Sequence, residues 1–434
     1  MEIPLPIFMF LFLVVLLALN IPVAFALFIT AIVFGLAAWG LTSLDIIFQG
    51  IWSTMNNWAL VSIIPFILMS ALLEECELVD ERYEALYKWL GGIRGSLLVI
   101  SVILGAAIGA MSGVAAAGMV TLAMLVYPMM EKYNYPRRVS IGTIVFAGSL
   151  PQLIPPSLNM VIYGTMTGVS VGKLFAGGLG MGIVMTLLGI AYVLIWSHLH
   201  KDEVPVLEVK YTLKEKLQAT KGLIGPTVII VGTLGSIYSG MATPTEAAGV
   251  GALLTLMYAV ARRKLNRKAL TNSLITTTRL TAMVCWIASG GLAFGSVFSG
   301  IGGRRMVVDF MTSLPEARIS ALIVALALVF ILGMFIDTTS IAMIAGPILA
   351  PAIVALGYNP VWWGIIFCTI LLTGFISPPV GMSMFLFKGA RPDVSMEDIY
   401  KSTPPFLLIM VATTIVGIMI PEIPMFFVRL FTGT

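Results

Sequence analysis

Residues 332–389 read LGMFIDTTSIAMIAGPILAPAIVALGYNPVWWGIIFCTILLTGFISPPVGMSMFLFKG. This stretch is apolar enough to lie in a lipid bilayer, yet Gly333, the polar residues 337–340 and the pair Pro378 and Pro379 interrupt it. In hydrocarbon each unpaired peptide N–H or C=O costs several kcal/mol, so a broken helix persists there only where it is buried in protein or lines a wet cavity. The stretch therefore predicts a functional site built on interrupted helices.

A second stretch, residues 104–164, reads LGAAIGAMSGVAAAGMVTLAMLVYPMMEKYNYPRRVSIGTIVFAGSLPQLIPPSLNMVIYG. Each copy opens with glycines and a polar tip, continues with an apolar leg that contains proline, and turns at a tyrosine followed by a proline. Each then ends in an apolar segment broken by two consecutive prolines, Pro155 and Pro156 in this copy. The shared order at similar spacing predicts a duplicated unit.

Composition places the chain in the membrane. Hydrophobic residues make up 59% and charged residues 11% of its 434 positions, whereas soluble domains carry about 25% charged residues. We therefore expect an all-α polytopic membrane protein with a single membrane domain, residues 1–434. At about 20 residues per span, there is room for about ten spans and some half-membrane elements. The small net charge of +4, with Lys and Arg in loops, indicates no nucleic-acid partner.

Several function classes lack their motifs. A hydrolase would need a serine with a histidine, His-Glu-x-x-His or paired aspartates within spans, and an ATP-driven pump would need GxxxxGK[ST]. The sequence contains none of these. The two histidines and three cysteines are spaced neither for a metal site nor for a disulfide framework. We expect no enzyme activity and no organic cofactor, whereas a channel is harder to exclude.

The chain is predicted to divide at its longest polar loop, the lysine-rich residues 199–221, which we interpret as a cytoplasmic linker. Each half is expected to contain one re-entrant hairpin and one helix unwound at its proline pair. The predicted bounds are 1–198 for the first repeat (hairpin about 96–130, broken helix 139–163) and 222–434 for the second (hairpin about 319–356, broken helix 361–388).

Each half contributes about five full spans and one hairpin on this count, so the halves are expected to be inverted and both termini periplasmic. An amphipathic arm at 266–278 is expected before a separate span at 280–298. An arm with Arg304 and Arg305 is expected outside the cell despite its charge. Trp362 and Trp363 are expected to be interface anchors.

Four motifs now carry a family resemblance: GSIYSGMATPTEAAGVG (235–251), IPPSLNMVIYG (154–164), GMFIDTTSIAMIAGPILAP (333–351), and GYNPVWWGIIF (357–367) with SPPVG (377–381). Together they resemble the large membrane subunit of TRAP transporters, the DctM-like family, over essentially the whole chain. The resemblance implies a sodium-coupled, elevator-type secondary transporter in the bacterial inner membrane, surrounded by membrane lipid. It also implies an organic acid substrate, a small four-helix membrane subunit and a periplasmic substrate-binding protein.

The resemblance further implies a sodium site in the second half, formed mostly by backbone carbonyl groups, and the internal repeat predicts a corresponding site in the first half. Na⁺ prefers oxygen ligands, which unwound helices supply without a full negative charge. The expected sites are Gly333, Gly374, Ser377 and Val380 in the second half, and Ser112, Ser149, Pro151 and Ile154 in the first. The chain departs from the family at Pro151, where glycine is expected, and at Val114, where a second tip serine is usual.

Candidate substrate-binding residues lie beside the breaks and at the second tip: Gln152, Ser157, Asn159, Asp337, Thr338, Thr339, Ser340, Pro378 and Pro379. Asp337 either serves an ion or proton site, which an intramembrane carboxylate favours, or caps the second leg of the hairpin. Gln152 and Asn159 either bind a carboxylate or satisfy broken backbone. Glu246, after Pro244, is interpreted as an ordinary helix cap.

No Arg or Lys lies deep in a span, so helix N-termini, bound Na⁺ and small polar groups are expected to meet the charge of an anionic substrate. The identity of the acid is not encoded in any motif. A sodium- or proton-coupled di- or tricarboxylate symporter that works without a binding protein would have the same architecture and is the alternative function.

Overall fold

The computed structural model describes residues 5–78, 80–206 and 211–433, and leaves out the side chains of residues 79–84. Within these ranges the chain is helical and contains no strand. Eight helical segments in this part of the chain are long and apolar enough to cross a membrane, or nine when one bent pair is counted as a span. The prediction of an all-α polytopic membrane protein is confirmed.

The helices of the first half are α1 (Leu5–Ala18), α2 (Val23–Trp39), α3 (Ser43–Met55), α4 (Trp58–Val61), α5 (Ile63–Glu75), α6 (Asp80–Leu90), α7 (Ser96–Ser112), α8 (Ala115–Leu125), α9 (Tyr127–Lys132), α10 (Arg137–Ser149), α11 (Leu158–Thr167) and α12 (Val171–Leu199). The predicted linker follows, of which residues 207–210 lie outside the described part.

The helices of the second half are α13 (Leu213–Thr220), α14 (Ile224–Tyr238), α15 (Pro244–Ala261), α16 (Arg267–Gly300), α17 (Gly303–Thr312), α18 (Ala317–Phe335), α19 (Thr338–Ala355), α20 (Pro360–Phe375), α21 (Met382–Ala390), α22 (Met396–Ser402), α23 (Pro404–Met419) and α24 (Glu422–Thr432).

Glycine, proline and capping residues set many of these boundaries. α15 starts with a capping box in which the Thr243 side chain accepts from the Glu246 N–H and the Glu246 carboxylate accepts from the Thr243 N–H at 2.8 Å. The prediction that Glu246 is a helix cap is therefore confirmed. Asn359 caps α20 by accepting hydrogen bonds from the N–H groups of its first turn. Such caps satisfy backbone donors that have no partner inside the helix.

Two local predictions are wrong. The arm expected at 266–278 and the span expected at 280–298 form one continuous helix, α16, because neither glycine nor proline lies between Asn266 and Ser289. Trp362 and Trp363, expected as interface anchors, are buried at 4% and 0% exposure. The Trp362 indole N–H donates to the Gly417 carbonyl at 3.1 Å, so this side chain joins α20 to α23.

Two helix pairs turn sharply at glycine or polar residues. α7 and α8 are joined by residues 113–114, and α18 and α19 by residues 336–337. After each pair comes an interrupted helix, α10 to α11 with a cis Pro155–Pro156 bond and α20 to α21 with a cis Pro378–Pro379 bond. The tips and the proline pairs of the two copies are separated by the same number of residues, so the copies align without a gap.

The two copies also pack against each other in a reciprocal way. α7 and α8 pack on α10, and α18 and α19 pack on α20. The helices that follow the breaks cross over, so that α11 packs on α19 while α21 packs on α8. α16 runs along α2, α3 and α5 and also touches α19. The tips and breaks therefore meet beside α5 and α16.

Candidate functional site

A cavity of about 390 Å³ lies where the tips and the breaks meet α5 and α16. Residues from both hairpin tips and from the starts of α11 and α21 line one side, and apolar residues of α5 and α16 line the other. The lining residues are Ile67, Gly113, Val114, Ala115, Ala116, Gln152, Leu158, Asn159, Leu280, Met283, Val284, Ile287, Asp337, Thr338, Thr339, Phe375, Met382 and Leu386.

Four helix N-termini point to this one cavity. α8, α11, α19 and α21 begin at Ala115, Leu158, Thr338 and Met382, and all four residues line it. The N-terminus of a helix carries about half a positive charge and N–H groups without helical partners. Because no Lys or Arg side chain of the described residues lines the cavity, these termini give it the character of an anion site without a fixed cation.

Hydrogen bonds tie each tip to the break of its own copy. The Leu158 N–H donates to the Gly113 carbonyl at 3.4 Å, and the Gly381 N–H donates to the Met334 carbonyl at 3.2 Å. Each donor is the second residue after its proline pair. The tip and the break therefore hold each other in place in both copies.

Asp337 caps α19. One carboxylate oxygen accepts from the Ser340 N–H at 3.0 Å, and the other accepts from the Ser340 hydroxyl. The capping interpretation is therefore observed directly. Asp337 nevertheless also lines the cavity, so a role toward an ion stays a prediction.

Four other predicted substrate residues line the same cavity: Gln152, Asn159, Thr338 and Thr339. The Gln152 side-chain oxygen is buried and has no hydrogen-bond partner among the described residues. It therefore does not satisfy the broken backbone around Pro155 and Pro156. An incoming donor or cation would give this oxygen the partner that it lacks.

The predicted second-half sodium residues lie together at the closest approach of α18 and α20. A Cβ added at Gly374 would be 2.7 Å from the Gly333 Cα atom. The carbonyl oxygens of Gly333, Ser377 and Val380 accept no hydrogen bond in the described part of the chain. The Ser377 hydroxyl donates to the Thr373 carbonyl at 2.7 Å, which leaves its oxygen available as a ligand. These are oxygen donors of the kind that Na⁺ prefers.

Gly381, on the other side of the proline pair, packs closely against the backbone of this second-half group. Its φ of +54° is in the left-handed region, and a Cβ there would lie 2.8 Å from the Ser377 carbonyl oxygen. Glycine therefore permits both the backbone conformation and the close approach.

The predicted first-half residues form a matching group. The Ser112 hydroxyl is buried without a hydrogen-bond partner in the described chain. The carbonyl of Pro151 accepts no hydrogen bond from the described chain, because the residue four positions later is Pro155, which has no N–H. The carbonyl of Ile154 also accepts none. The Ser149 hydroxyl donates to the Phe146 carbonyl at 2.6 Å within its own helix, as the Ser377 hydroxyl does to the Thr373 carbonyl.

Other predicted residues surround the cavity without lining it. The Ser157 hydroxyl donates to the Gln152 carbonyl, and the Pro379 carbonyl accepts a hydrogen bond from the Tyr400 hydroxyl at 2.7 Å. Ser340 is engaged with Asp337 as described above, and Pro378 forms the cis bond. These four residues shape the turns that present the lining.

Sequence reasoning missed the apolar half of the cavity. Ile67 on α5 and Leu280, Met283, Val284 and Ile287 on α16 line it, yet each is an ordinary hydrophobic residue within an apolar helix. No signal in the sequence distinguishes these residues from lipid-facing ones. Their role follows only from the packing of α16 beside α19.

The fold is that of a multi-span membrane transporter. The crystal structure of the YdaH transporter of Alcanivorax borkumensis matches it with a TM-score of 0.66 at 13% identity, over 92% of this chain and 97% of that chain. The chain belongs to the family described as "Tripartite ATP-independent periplasmic transporter, DctM component", whose sequence profile matches residues 10–423. The family resemblance stated from the motifs is thus confirmed.

Three relatives illustrate the range of the family. The chain is 28% identical to the isethionate TRAP transporter permease protein DctMQ of Oleidesulfovibrio alaskensis, over 98% of this chain and 66% of that protein. It is 28% identical to the ectoine TRAP transporter large permease protein TeaC of Halomonas elongata (95% and 96% coverage). It is also 28% identical to the C4-dicarboxylate TRAP transporter large permease protein DctM of Vibrio cholerae (96% and 96%). This chain thus spans just under two thirds of the first relative and nearly all of the other two.

Proposed function

We propose that the chain is the large membrane subunit of a tripartite transporter that takes up an organic acid through the cavity between the two tips. The observation that carries the proposal is the convergence of four helix N-termini on one cavity, which no Lys or Arg side chain in the described part of the chain lines. A carboxylate or sulfonate fits this environment, because partial positive charges stabilise an anion without holding it as firmly as a fixed ion pair.

Coupling to Na⁺ is the second part of the proposal. The carbonyls of Gly333, Ser377 and Val380 would hold one cation, and the Ser112 hydroxyl with the carbonyls of Pro151 and Ile154 would hold another. Support comes from their lack of hydrogen-bond donors in the described chain. All of these residues except the half-buried Val380 are buried, and buried oxygens without partners are costly unless a ligand is bound. Bound cations would add positive charge close to the anion, so the two ligands would bind cooperatively.

We propose an elevator mechanism for the movement. α7 to α11 and α18 to α21 would form the moving unit, with two re-entrant hairpins in two inverted repeats, and α5 and α16 would belong to the framework. The apolar wall that α5 and α16 contribute supports this division, because an apolar wall makes no hydrogen bonds that sliding would break. In this arrangement both termini lie in the periplasm and the membrane is the bacterial inner membrane.

The proposed partners are a small membrane subunit and a periplasmic substrate-binding protein. α14 and α15 expose large apolar side chains, including Val231, Leu253 and Met257, which lipid or the small subunit would cover. The relatives named for isethionate, ectoine and C4-dicarboxylates indicate the substrate class, which is a small molecule with a carboxylate or sulfonate.

Reconstitution tests the proposal. The chain and its small subunit are placed in proteoliposomes with an inward sodium gradient, and uptake of labelled succinate, isethionate and ectoine is measured with and without the binding protein. We expect uptake of one of these acids only when the binding protein and Na⁺ are both present. Uptake by this chain alone would instead support the binding-protein-independent symporter, and uptake without a sodium gradient would reject the coupling.

A further inference from the structure

A cluster of charged residues joins the segment after α21 to α9, at the base of the first hairpin. Arg391, which follows α21, donates from Nη2 to Glu131 Oε2 at 2.7 Å and forms two hydrogen bonds to Asp393 at 2.6 and 2.8 Å. Its guanidinium carbon lies 4.6 Å from the centre of the Tyr127 ring. Hydrogen bonds from Arg391 lower the pKa of Asp393 to about 2. The second copy's helix is thereby attached to the first copy's hairpin.

The second hairpin has no such cluster at the equivalent place. In the gap-free alignment of the two copies, Arg391 corresponds to Gly168, Glu131 to Val354, Tyr127 to Ala350 and Asp393 to Ser170. These four counterparts all line a cavity of about 600 Å³. Replacing an arginine, a glutamate and a tyrosine by a glycine, a valine and an alanine has left an opening where the first copy is filled.

Two cationic side chains, Arg304 on α17 and Lys173 on α12, also line this opening. No carboxylate of the described residues lines it. The neighbouring Arg305 has an acidic partner in Asp309, at 3.7 Å, and does not line the opening. The Arg304 guanidinium therefore lines a space whose counterpart in the first copy contains the acidic side chain of Glu131.

We propose that this opening is an outer binding site for the carboxylate or sulfonate of the transported acid. The acid would take the place that Glu131 occupies in the first copy, and Arg304 would take the place of Arg391. The site lies at the far ends of α11 and α19 from the central cavity, roughly 14 Å along α19 at 1.5 Å per residue. It rests on the proposed function, which places this end of the two helices on the periplasmic side.

The outer site would raise the local concentration of the anion before it reaches the helix N-termini. A unit charge about 7 Å away in water changes the local concentration of a monovalent ion about threefold. The ratio of anion to cation at the site therefore changes about ninefold for each cationic side chain, and salt reduces this effect.

Thiol labelling tests the site without transport. Cys285 is exposed while Cys76 and Cys368 are buried, so Val354→Cys is introduced into a Cys285→Ser background. The reaction rates with sulfonatoethyl and trimethylammonioethyl methanethiosulfonate are compared at low ionic strength. We expect the anionic reagent to be favoured, Arg304→Ala to lower the ratio about ninefold, and the matched control Arg305→Ala to change it much less. Equal ratios in the two arginine variants overturn the proposal.

Protection experiments identify the ligand. Succinate or isethionate is expected to slow the labelling of the Val354→Cys variant, and Arg304→Ala is expected to weaken this protection. Protection by the binding protein but by neither acid would make the opening a protein docking point and would overturn the proposal. If an acid slows the labelling of the Val354→Cys variant but the protein takes up no acid in proteoliposomes, the proposed function is rejected and the outer site is retained. If the Arg304→Ala variant takes up the acid with an unchanged KM and no acid slows the labelling of the Val354→Cys variant, only the outer site is rejected.

Discussion

Gly374→Ala tests the proposed second-half sodium site most directly. The added Cβ would lie 2.7 Å from the Gly333 Cα and 2.9 Å from the Phe330 carbonyl oxygen. Nonbonded carbons prefer a separation of about 3.5–4.0 Å, so α18 and α20 must move apart by about 1 Å. The shift carries the Gly333 carbonyl away from Ser377 and Val380.

The expected magnitudes separate stability from sodium binding. Overpacking costs about 1–3 kcal/mol, and replacing glycine by alanine within a helix recovers up to about 1 kcal/mol. The net loss of stability is therefore about 0–3 kcal/mol. Removing one oxygen from a charged ligand costs about 1.5–3 kcal/mol by analogy with hydrogen bonds to charges, which is about ten- to hundredfold in affinity.

The assay is the sodium dependence of the initial uptake rate in proteoliposomes, together with the sodium-dependent shift of the melting temperature in detergent. Gly249→Ala in α15 is the matched control, since a Cβ there would meet nothing within 4 Å. We expect the half-saturating sodium concentration to rise at least tenfold in Gly374→Ala and to be unchanged in the control. An unchanged sodium dependence in a folded Gly374→Ala chain would refute the assignment of this site.

Three further substitutions address the other parts of the site. Ser112→Ala removes a buried hydroxyl without a partner, so we expect weaker sodium binding at constant thermal stability, and identical sodium titrations of variant and parent would contradict the first-half site. Arg391→Met removes the bonds to Glu131 and Asp393 and should cost about 1–2 kcal/mol in thermal unfolding; an unchanged melting temperature would mean that the cluster adds nothing. Asp337→Asn retains a good N-cap and should keep most of the uptake rate, whereas a tenfold loss with normal stability would assign the carboxylate to coupling.

The sequence predicted where the helices end because glycine, proline and capping residues act locally. The breaks in the structure coincide with the two consecutive proline pairs, Pro155–Pro156 and Pro378–Pro379, because proline lacks an N–H. Single prolines did not have this effect, since α19 continues through Pro347 and Pro351. The capping role of Glu246 was readable for the same reason.

Contacts between helices that are distant in the chain could not be predicted from the sequence in this way. α16 was expected as two elements because its first turns are amphipathic, yet amphipathicity alone does not end a helix. Burial of Trp362 depends on a carbonyl of α23, far along the chain. The apolar wall of the central cavity and the opening at the base of the second hairpin depend likewise on which helices become neighbours.

The free carbonyls beside the proline pairs have a consequence for how such proteins diversify. Every residue type contributes the same peptide oxygen, so a mutation that changes the side chain at a position such as 151 leaves that oxygen in place. A mutation of a side chain that faces the substrate, in contrast, changes the chemical group that contacts the substrate. A lineage can therefore exchange one cargo for another, as the names of relatives range from isethionate to ectoine, while the carbonyl groups that we propose as sodium ligands stay chemically constant.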